Sequence, residues 1–158
     1  MLDLDLRKAT LGKSIGKNHN GVSSFLNGKE SDYHDMIAKI SDNLYILPVG
    51  TLPPNPTELL LTDRFKDMME SIRKEYDYIF IDCPPIDVVA DTAIITKYVD
   101  MSVFVIRSGF LDKKAGPMID ALYKSRKYTR MVMILNGTDA ENKSLRRYGY
   151  GYGYGYGN

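Results

Sequence analysis

Four short apolar segments constrain the fold of this chain more than any other feature. They are Leu44–Leu47, Tyr78–Ile81, Ser102–Ile106 and Met131–Leu135. Each is rich in β-branched, aromatic or other large apolar residues and has the length of a strand, not of a helix. Because their apolar residues do not alternate with polar ones, we expect both faces of each strand to be buried, as in a parallel sheet covered by helices.

Helical patterns separate these segments. Apolar residues recur at helical spacing behind Thr62, which is the predicted N-cap. These residues are Phe65, Met68, Met69 and Ile72. A second helical pattern lies between Lys113 and Lys127, and a shorter helix is predicted to begin at Asp91. The sequence therefore predicts an α/β fold, a mostly parallel sheet with helices on both faces.

Length and charge narrow the class of protein. The 158 residues suggest one compact domain, and a net charge of +1 gives no electrostatic argument for a nucleic-acid partner. No apolar run approaches the roughly 20 residues that span a bilayer. The only cysteine, Cys83, excludes an intramolecular disulfide and fits a reducing compartment. We therefore expect a cytoplasmic domain without nucleic acid.

The first segment, Met1–Arg7, alternates leucines with charged residues. Asp3, Asp5 and Arg7 would share one face or edge if the strand persists. Two interpretations are open: an exposed edge strand of an antiparallel sheet, or an inner parallel strand whose carboxyl end carries the charges. Open α/β sheets bind their ligands at that end, and the rest of the chain favours the second interpretation.

Asp82 follows the apolar segment Tyr78–Ile81 directly. An aspartate in this position suits a Walker-B magnesium site, because a hard cation prefers a carboxylate on a rigid element; it also suits an ordinary turn. The sequence predicts that Asp3, Asp5 and Asp82 converge on one Mg²⁺, with nucleotide phosphates completing its shell. One carboxylate would remain free to accept a hydroxyl proton, which suits phosphoryl transfer to tyrosine.

The C-terminal segment 148–158 is a low-complexity repeat in which single glycines separate five tyrosines. These are Tyr148, Tyr150, Tyr152, Tyr154 and Tyr156. Such a repeat should be exposed and lack regular structure. The segment is interpreted either as an adhesive tail or as a set of phosphate acceptors, beside a main domain over residues 1–147.

The order of motifs resembles that of the catalytic domain of bacterial protein-tyrosine kinases of the capsule and exopolysaccharide type. Met1–Arg7 is similar to their Walker A′ box, and Tyr78–Pro85 is similar to their Walker B. Gly21–Gly28 and Leu47–Leu60 resemble segments that lie between these boxes in that family. The tyrosine cluster at the end completes the resemblance.

The resemblance implies a P-loop fold related to the MinD and ParA ATPases, which uses ATP and Mg²⁺. It implies a homo-oligomer whose tails are phosphorylated between subunits, with a membrane polysaccharide co-polymerase as activator and exopolysaccharide synthesis and export as the regulated process. Membrane association would come from that partner or from a missing N-terminal region.

The resemblance also assigns roles to single residues. Asp3 would be the base and a metal-associated carboxylate, Asp5 would share that site, and Asp82 would hold Mg²⁺. Arg7 would steady a phosphate or a carboxylate. Residues near the nucleotide base would be Arg107 and Asn136, for which a solvated loop charge and a turn residue are the alternatives.

One element of the family is absent from the sequence. No G-x-x-x-x-G-K-[ST] motif occurs, and Gly12-Lys13-Ser14 supplies only its last residues. In the family this loop precedes Walker A′, so the resemblance predicts a chain that lacks the P-loop strand and helix, binds ATP weakly or not at all, and exposes an apolar face. A MinD/ParA-like ATPase and a non-catalytic phosphoacceptor module are the alternative functions.

Overall fold

A computed structural model describes residues 1–9, 11–12, 20–85, 89–110 and 116–138. The chain forms two compact units, Met1–Asp100 and Met101–Asn158. Strands and helices alternate, and two of the three strand pairs seen in these residues are parallel. The predicted α/β class with parallel strands is therefore confirmed. None of the helices within the described residues is both long and apolar enough to cross a membrane.

The first unit is organised around the parallel strands β1 (Leu2–Asp3) and β4 (Ile81–Asp82). Leu2 lies opposite Ile81, and Asp3 lies opposite Asp82. On its other side β1 contacts Leu47 through a parallel bridge, in which the amide of Asp3 donates to the Leu47 carbonyl over 3.0 Å. Since β1 has parallel partners on both sides, Leu2–Asp3 is an inner strand and not an edge strand, although the strand is shorter than the predicted segment Met1–Arg7.

An antiparallel hairpin follows in the chain, formed by β2 (Ala38–Ser41) and β3 (Leu44–Ile46). Sequence analysis found only β3 and expected both of its faces to be buried. That expectation is wrong, because Leu44 is 37% exposed while Ile46 is buried. Strand β2 was not predicted, because its lysine and serine interrupt any apolar run.

Besides the helical residues 11–12, the described residues of the first unit contain four α-helices and two 3₁₀ helices. They are α1 (Val22–Leu26), α2 (Pro56–Leu60), α3 (Asp63–Glu75), α4 (Val89–Ile95), and the 3₁₀ helices His34–Met36 and Thr96–Tyr98. The helix predicted to begin at Asp91 is α4, which starts two residues earlier.

Helix α3 supplies the centre of the core. The Thr62 hydroxyl caps it by accepting a hydrogen bond from the amide of Phe65 over 3.2 Å, as predicted. The predicted apolar positions are all buried: Phe65, Met68, Met69 and Ile72. Burial of each such side chain contributes about 1.5–3 kcal/mol. The helix therefore forms from local signals and is stabilised by packing of one face.

Two backbone segments approach each other closely near the start of α1. A Cβ on Gly21 would lie 2.2 Å from the carbonyl oxygen of Pro48 and 2.5 Å from the amide nitrogen of Gly50. Gly50 itself has φ +77°, which an L side chain rarely adopts. The amide of Val22 donates to the Pro48 carbonyl over 2.8 Å. Glycine at both positions permits this contact.

The second unit contains β5 (Ser102–Arg107), α5 (Gly116–Lys124) and β6 (Met131–Asn136). The two strands are parallel, with Ser102 opposite Met131 and Arg107 opposite Asn136. Both were predicted, and each extends one residue beyond its predicted end. Burial on both faces was predicted for them and is wrong.

Exposed apolar side chains occur in both units. In the first unit Tyr78 is 83% and Phe80 is 68% exposed, although the predicted strand Tyr78–Ile81 was expected to be buried. In the second unit the exposed residues include Val103, Val105, Val132, Met133, Ile134 and Leu135. Apolar side chains of predicted strands are therefore exposed within each unit.

Candidate functional site

Two aspartates at the end of β1 are held by their own backbone. Asp3 is fully buried and Asp5 is buried. Asp3 Oδ1 accepts a hydrogen bond from the amide of Asp5 over 3.2 Å. Asp5 Oδ1 accepts from the amides of Arg7 and Lys8 over 3.2 and 3.1 Å. Short aspartate side chains form such local bonds readily, so the turn after β1 fixes both carboxylates.

Asp82 lies opposite Asp3 across the parallel strands β1 and β4. Burial is the largest cause that raises the pKa of Asp3; the charges of Asp82 and Asp5 raise it further, whereas amides of Asp5 and Gly12 lower it. The pKa of Asp82 is also raised, by burial and then by the charge of Asp5. The strand pairing therefore concentrates negative charge at one edge of the sheet.

One oxygen of Asp3 has no hydrogen-bond partner among the described residues. This atom, Oδ2, is buried, and buried polar atoms are nearly always paired. A divalent cation would satisfy this oxygen and reduce the repulsion with Asp82. The carboxylates present therefore fit Mg²⁺, which binds carboxylate oxygens.

The three predicted ligands do not by themselves complete a metal centre. Within the described part of the chain, no group of three or more histidine, cysteine, aspartate or glutamate side chains has the arrangement of a metal site. Mg²⁺ commonly keeps several waters and takes one or two carboxylates plus phosphates. The predicted convergence of all three aspartates on one ion is therefore not seen, whereas Asp3 and Asp82, which lie opposite each other, match that kind of open site.

Arg7 extends from the same turn to a buried carboxylate. Its Nε donates to Asp91 Oδ2 over 2.9 Å, and its Nη2 donates to Thr57 Oγ1 over 3.4 Å. The Thr57 hydroxyl donates to the other oxygen of Asp91. Sequence analysis named Arg7 but missed Thr57 and treated Asp91 only as a helix start. No local pattern joins residues that are 84 positions apart.

Cys83 follows Asp82 without adding a nucleophile. Burial, followed by the charges of Asp82 and Asp5, raises the pKa of its thiol to about 12. The thiol therefore stays protonated at neutral pH, and the nucleophilic form is the thiolate. Its role is that of a small, largely apolar side chain beside the core.

Arg107 and Asn136 lie opposite each other at the ends of β5 and β6 in the second unit. The guanidinium of Arg107 lies over the ring of Phe110, 4.2 Å from its centroid. Asn136 Oδ1 accepts a hydrogen bond from the amide of Gly137 over 2.8 Å, which is the turn interaction named as its alternative. The pair is thus adjacent, and its role toward a nucleotide stays a prediction.

The predicted acceptors lie outside the described residues. They are Tyr148, Tyr150, Tyr152, Tyr154 and Tyr156. Lys13 and Ser14 of the partial phosphate-loop motif also lie outside them.

Curated proteins similar to this chain are bacterial tyrosine kinases. Tyrosine-protein kinase CpsD of Streptococcus pneumoniae is 37% identical over 129 residues, which cover 82% of this chain and 56% of that protein. Tyrosine-protein kinase wzc of Salmonella typhi is 34% identical over 108 residues, which cover 68% of this chain and 14% of that protein. The chain thus spans about half of the first relative's length and far less of the second. No protein-family model matches the chain.

Solved structures agree with the sequence relatives. The kinase domain of the Escherichia coli tyrosine kinase ETK superposes with a TM-score of 0.78 at 29% identity, over 98% of this chain and 60% of that domain. The VpsO kinase domain superposes with a TM-score of 0.76 at 28% identity, over 87% of this chain and 69% of that domain. By sequence and by fold, this chain belongs to the family of bacterial tyrosine-protein kinase domains.

Proposed function

We propose that the carboxylate edge formed by Asp3, Asp5 and Asp82 binds Mg²⁺ with ATP and serves protein-tyrosine phosphorylation in exopolysaccharide or capsule synthesis. The observation that carries this proposal is the position of Asp3 opposite Asp82, together with the buried Asp3 Oδ2, which has no hydrogen-bond partner among the described residues. A bound Mg²⁺ would supply positive charge that neutralises the phosphates. Relatives named as tyrosine kinases support the choice of reaction.

Each acidic residue has a separate task. Asp82 and Asp3 hold the cation, and Asp5 shares the site from a fixed position in the turn. Asp3 is the candidate base for the proton of a tyrosine hydroxyl, and burial raises the pKa of its carboxyl. Arg7 lies next to these carboxylates along the chain and carries the positive charge that a phosphate requires.

The substrates of the reaction are the five tyrosines of segment 148–158. We place their phosphorylation between subunits of a homo-oligomer, in a cytoplasmic protein that reaches the membrane through a polysaccharide co-polymerase. Each phosphate adds about −1.5 to −2 charges to the tail. Phosphorylation would thereby weaken the affinity of the tail for a carboxylate-rich edge.

A second function is favoured by one feature of the sequence. Because no G-x-x-x-x-G-K-[ST] motif is present, the backbone amides and lysine that grip nucleotide phosphates in such loops are missing. ATP affinity of the chain by itself should be low. In that case the chain would act as a phosphoacceptor that an active kinase of the same family modifies.

Labelled ATP distinguishes these functions. The chain is incubated with labelled ATP and Mg²⁺, by itself and with an active relative, and phosphorylated residues are mapped by mass spectrometry. Tail labelling of the chain by itself, lost in Asp82→Asn, supports the kinase. Labelling only in the mixture supports the phosphoacceptor, and an unlabelled tail in both reactions refutes both functions.

A further inference from the structure

We propose that Thr57 and Asp91 are positioning residues that hold the guanidinium of Arg7 along its Nε–Nη2 side and leave its Nη1–Nη2 end for the phosphates of ATP. This inference rests on the proposed function, since it assigns a task to residues that surround the same site. Three elements contribute: the turn after β1, the first turns of α2 and the start of α4.

The hydrogen bonds divide the guanidinium into two edges. Nε and Nη2 form one edge, and this edge donates to Asp91 Oδ2 and Thr57 Oγ1. Nη1 and Nη2 form the end edge, which is the second fork that can bind two oxygens of one anion. Within the described residues, Nη1 has no recorded hydrogen-bond partner, and the Arg7 side chain is 42% exposed. The end edge is therefore available to a ligand.

The holding residues are themselves fixed. Asp91 is 1% exposed, and each of its oxygens accepts one hydrogen bond, from Arg7 or from Thr57. Helices α2 and α4, which carry Thr57 and Asp91, pack against each other. A buried carboxylate with both oxygens engaged restricts the plane of the guanidinium, and a preset plane favours two-point binding of phosphate.

The anchored Arg7 lies close in the chain to the carboxylate edge. The amide of Arg7 donates to Asp5 Oδ1 over 3.2 Å, so Arg7 and the Asp5 carboxylate belong to the same turn after β1. Without a fixed position, a long cationic side chain would pair with the nearby carboxylates instead of a phosphate. Asp91 neutralises part of the charge of Arg7 and keeps its Nε edge away from them.

The experiment compares hydroxyl-bearing and hydroxyl-free residues at position 57. Thr57→Val removes the hydroxyl at nearly constant volume, and Thr57→Ser retains it. Asp91→Asn removes the charge, and Asp100→Asn is the matched control, because Asp100 pairs with exposed Arg73 on the surface. Affinity for Mg²⁺–ATP is measured by NMR titration up to millimolar nucleotide, and the Arg7 Nε–H signal is followed in the same spectra. Circular dichroism selects conditions under which each variant is folded.

We expect Thr57→Val to weaken Mg²⁺–ATP binding about tenfold, as loss of one hydrogen bond to a charged group would. Thr57→Ser should bind within about twofold of the original chain, as should Asp100→Asn. The Nε–H signal should shift in Thr57→Val and not in the control. If folded Thr57→Val binds as tightly as the original chain, the positioning role is refuted while the proposed function stands. If the original chain does not bind Mg²⁺–ATP, the proposed kinase function and this inference both fail, and the phosphoacceptor function is favoured.

Discussion

Replacing Asp3 with asparagine should stabilise the metal-free protein at neutral pH, although it removes a residue of the candidate site. Asp3 is fully buried, its Oδ2 has no partner among the described residues, and Asp82 lies opposite it. A buried acceptor left unsatisfied costs about 1–3 kcal/mol. Asparagine removes the charge and brings an amide that can donate to the carboxylate of Asp82.

The magnitude follows from those two changes. We expect the free energy of unfolding of Asp3→Asn to exceed that of the original chain by about 1–2 kcal/mol at neutral pH. For a chain of this size that difference corresponds to roughly 2–8 °C in Tm. Functional sites commonly retain such destabilising groups because binding requires them.

The raised pKa of Asp3 determines how its contribution to stability changes with pH. The pKa of Asp3 is raised in the folded state, chiefly by burial, so the folded protein binds the proton more tightly than the unfolded chain does. Stability is therefore greatest where Asp3 is protonated, and it falls as the pH rises through the folded pKa. The advantage of Asp3→Asn should shrink as the pH is lowered.

Urea unfolding at several pH values, with and without Mg²⁺, tests this reasoning. Mg²⁺ should stabilise the original chain and leave Asp3→Asn unchanged, because a ligand stabilises only the state that binds it. The reasoning is refuted if Asp3→Asn is less stable than the original chain at neutral pH without metal, or if the difference between them does not depend on pH.

Three other predictions concern stability. His34 bonds to Asp32 and Glu75, which raise its pKa, so the small stabilising contribution of this exposed cluster is present below the unfolded pKa of about 6.5. It should disappear as the pH rises through the folded pKa, and His34→Gln should abolish this pH dependence in urea unfolding; an unchanged dependence contradicts it. Gly21→Ala should lower the free energy of unfolding by about 1–3 kcal/mol or more, because its Cβ would meet backbone atoms. Gly28→Ala should show only the strain of positive φ, because a Cβ at that position meets nothing within 4 Å. Equal losses of stability in the two variants would contradict the close contact at Gly21. Phe65→Ala should cost about 3–5 kcal/mol in chemical denaturation, and a loss below about 1 kcal/mol would show that α3 is not central to the core.

Local chemistry made some elements predictable. The cap at Thr62 and the apolar spacing behind it are contained within one short window, so α3 appears where expected. Strand β2 was missed because Lys39 and Ser41 remove any apolar run. The burial of β5 and β6 was overestimated. The residues of an apolar strand identify it as a strand, but they do not show which other elements cover its faces.

Some residues of the candidate site were also predictable from local sequence, and others were not. Asp3 and Asp5 were named because they alternate with leucines, and Asp82 because it follows an apolar segment; the family follows from the order of such short motifs. Residues that act across long distances in the chain gave no signal. Thr57 and Asp91 meet Arg7 only because α2, α4 and the turn after β1 pack together.

The sequence by itself therefore determined the class of fold, the family and the residue types at the strand ends, since all of these reside in contiguous stretches of chain. Only the tertiary structure decided which carboxylate is buried, that Asp3 faces Asp82, and that Arg7 is anchored by Asp91. Burial and hydrogen bonding between distant residues depend on how strands align and helices pack. These same interactions set the pKa of Asp3 and the orientation of Arg7.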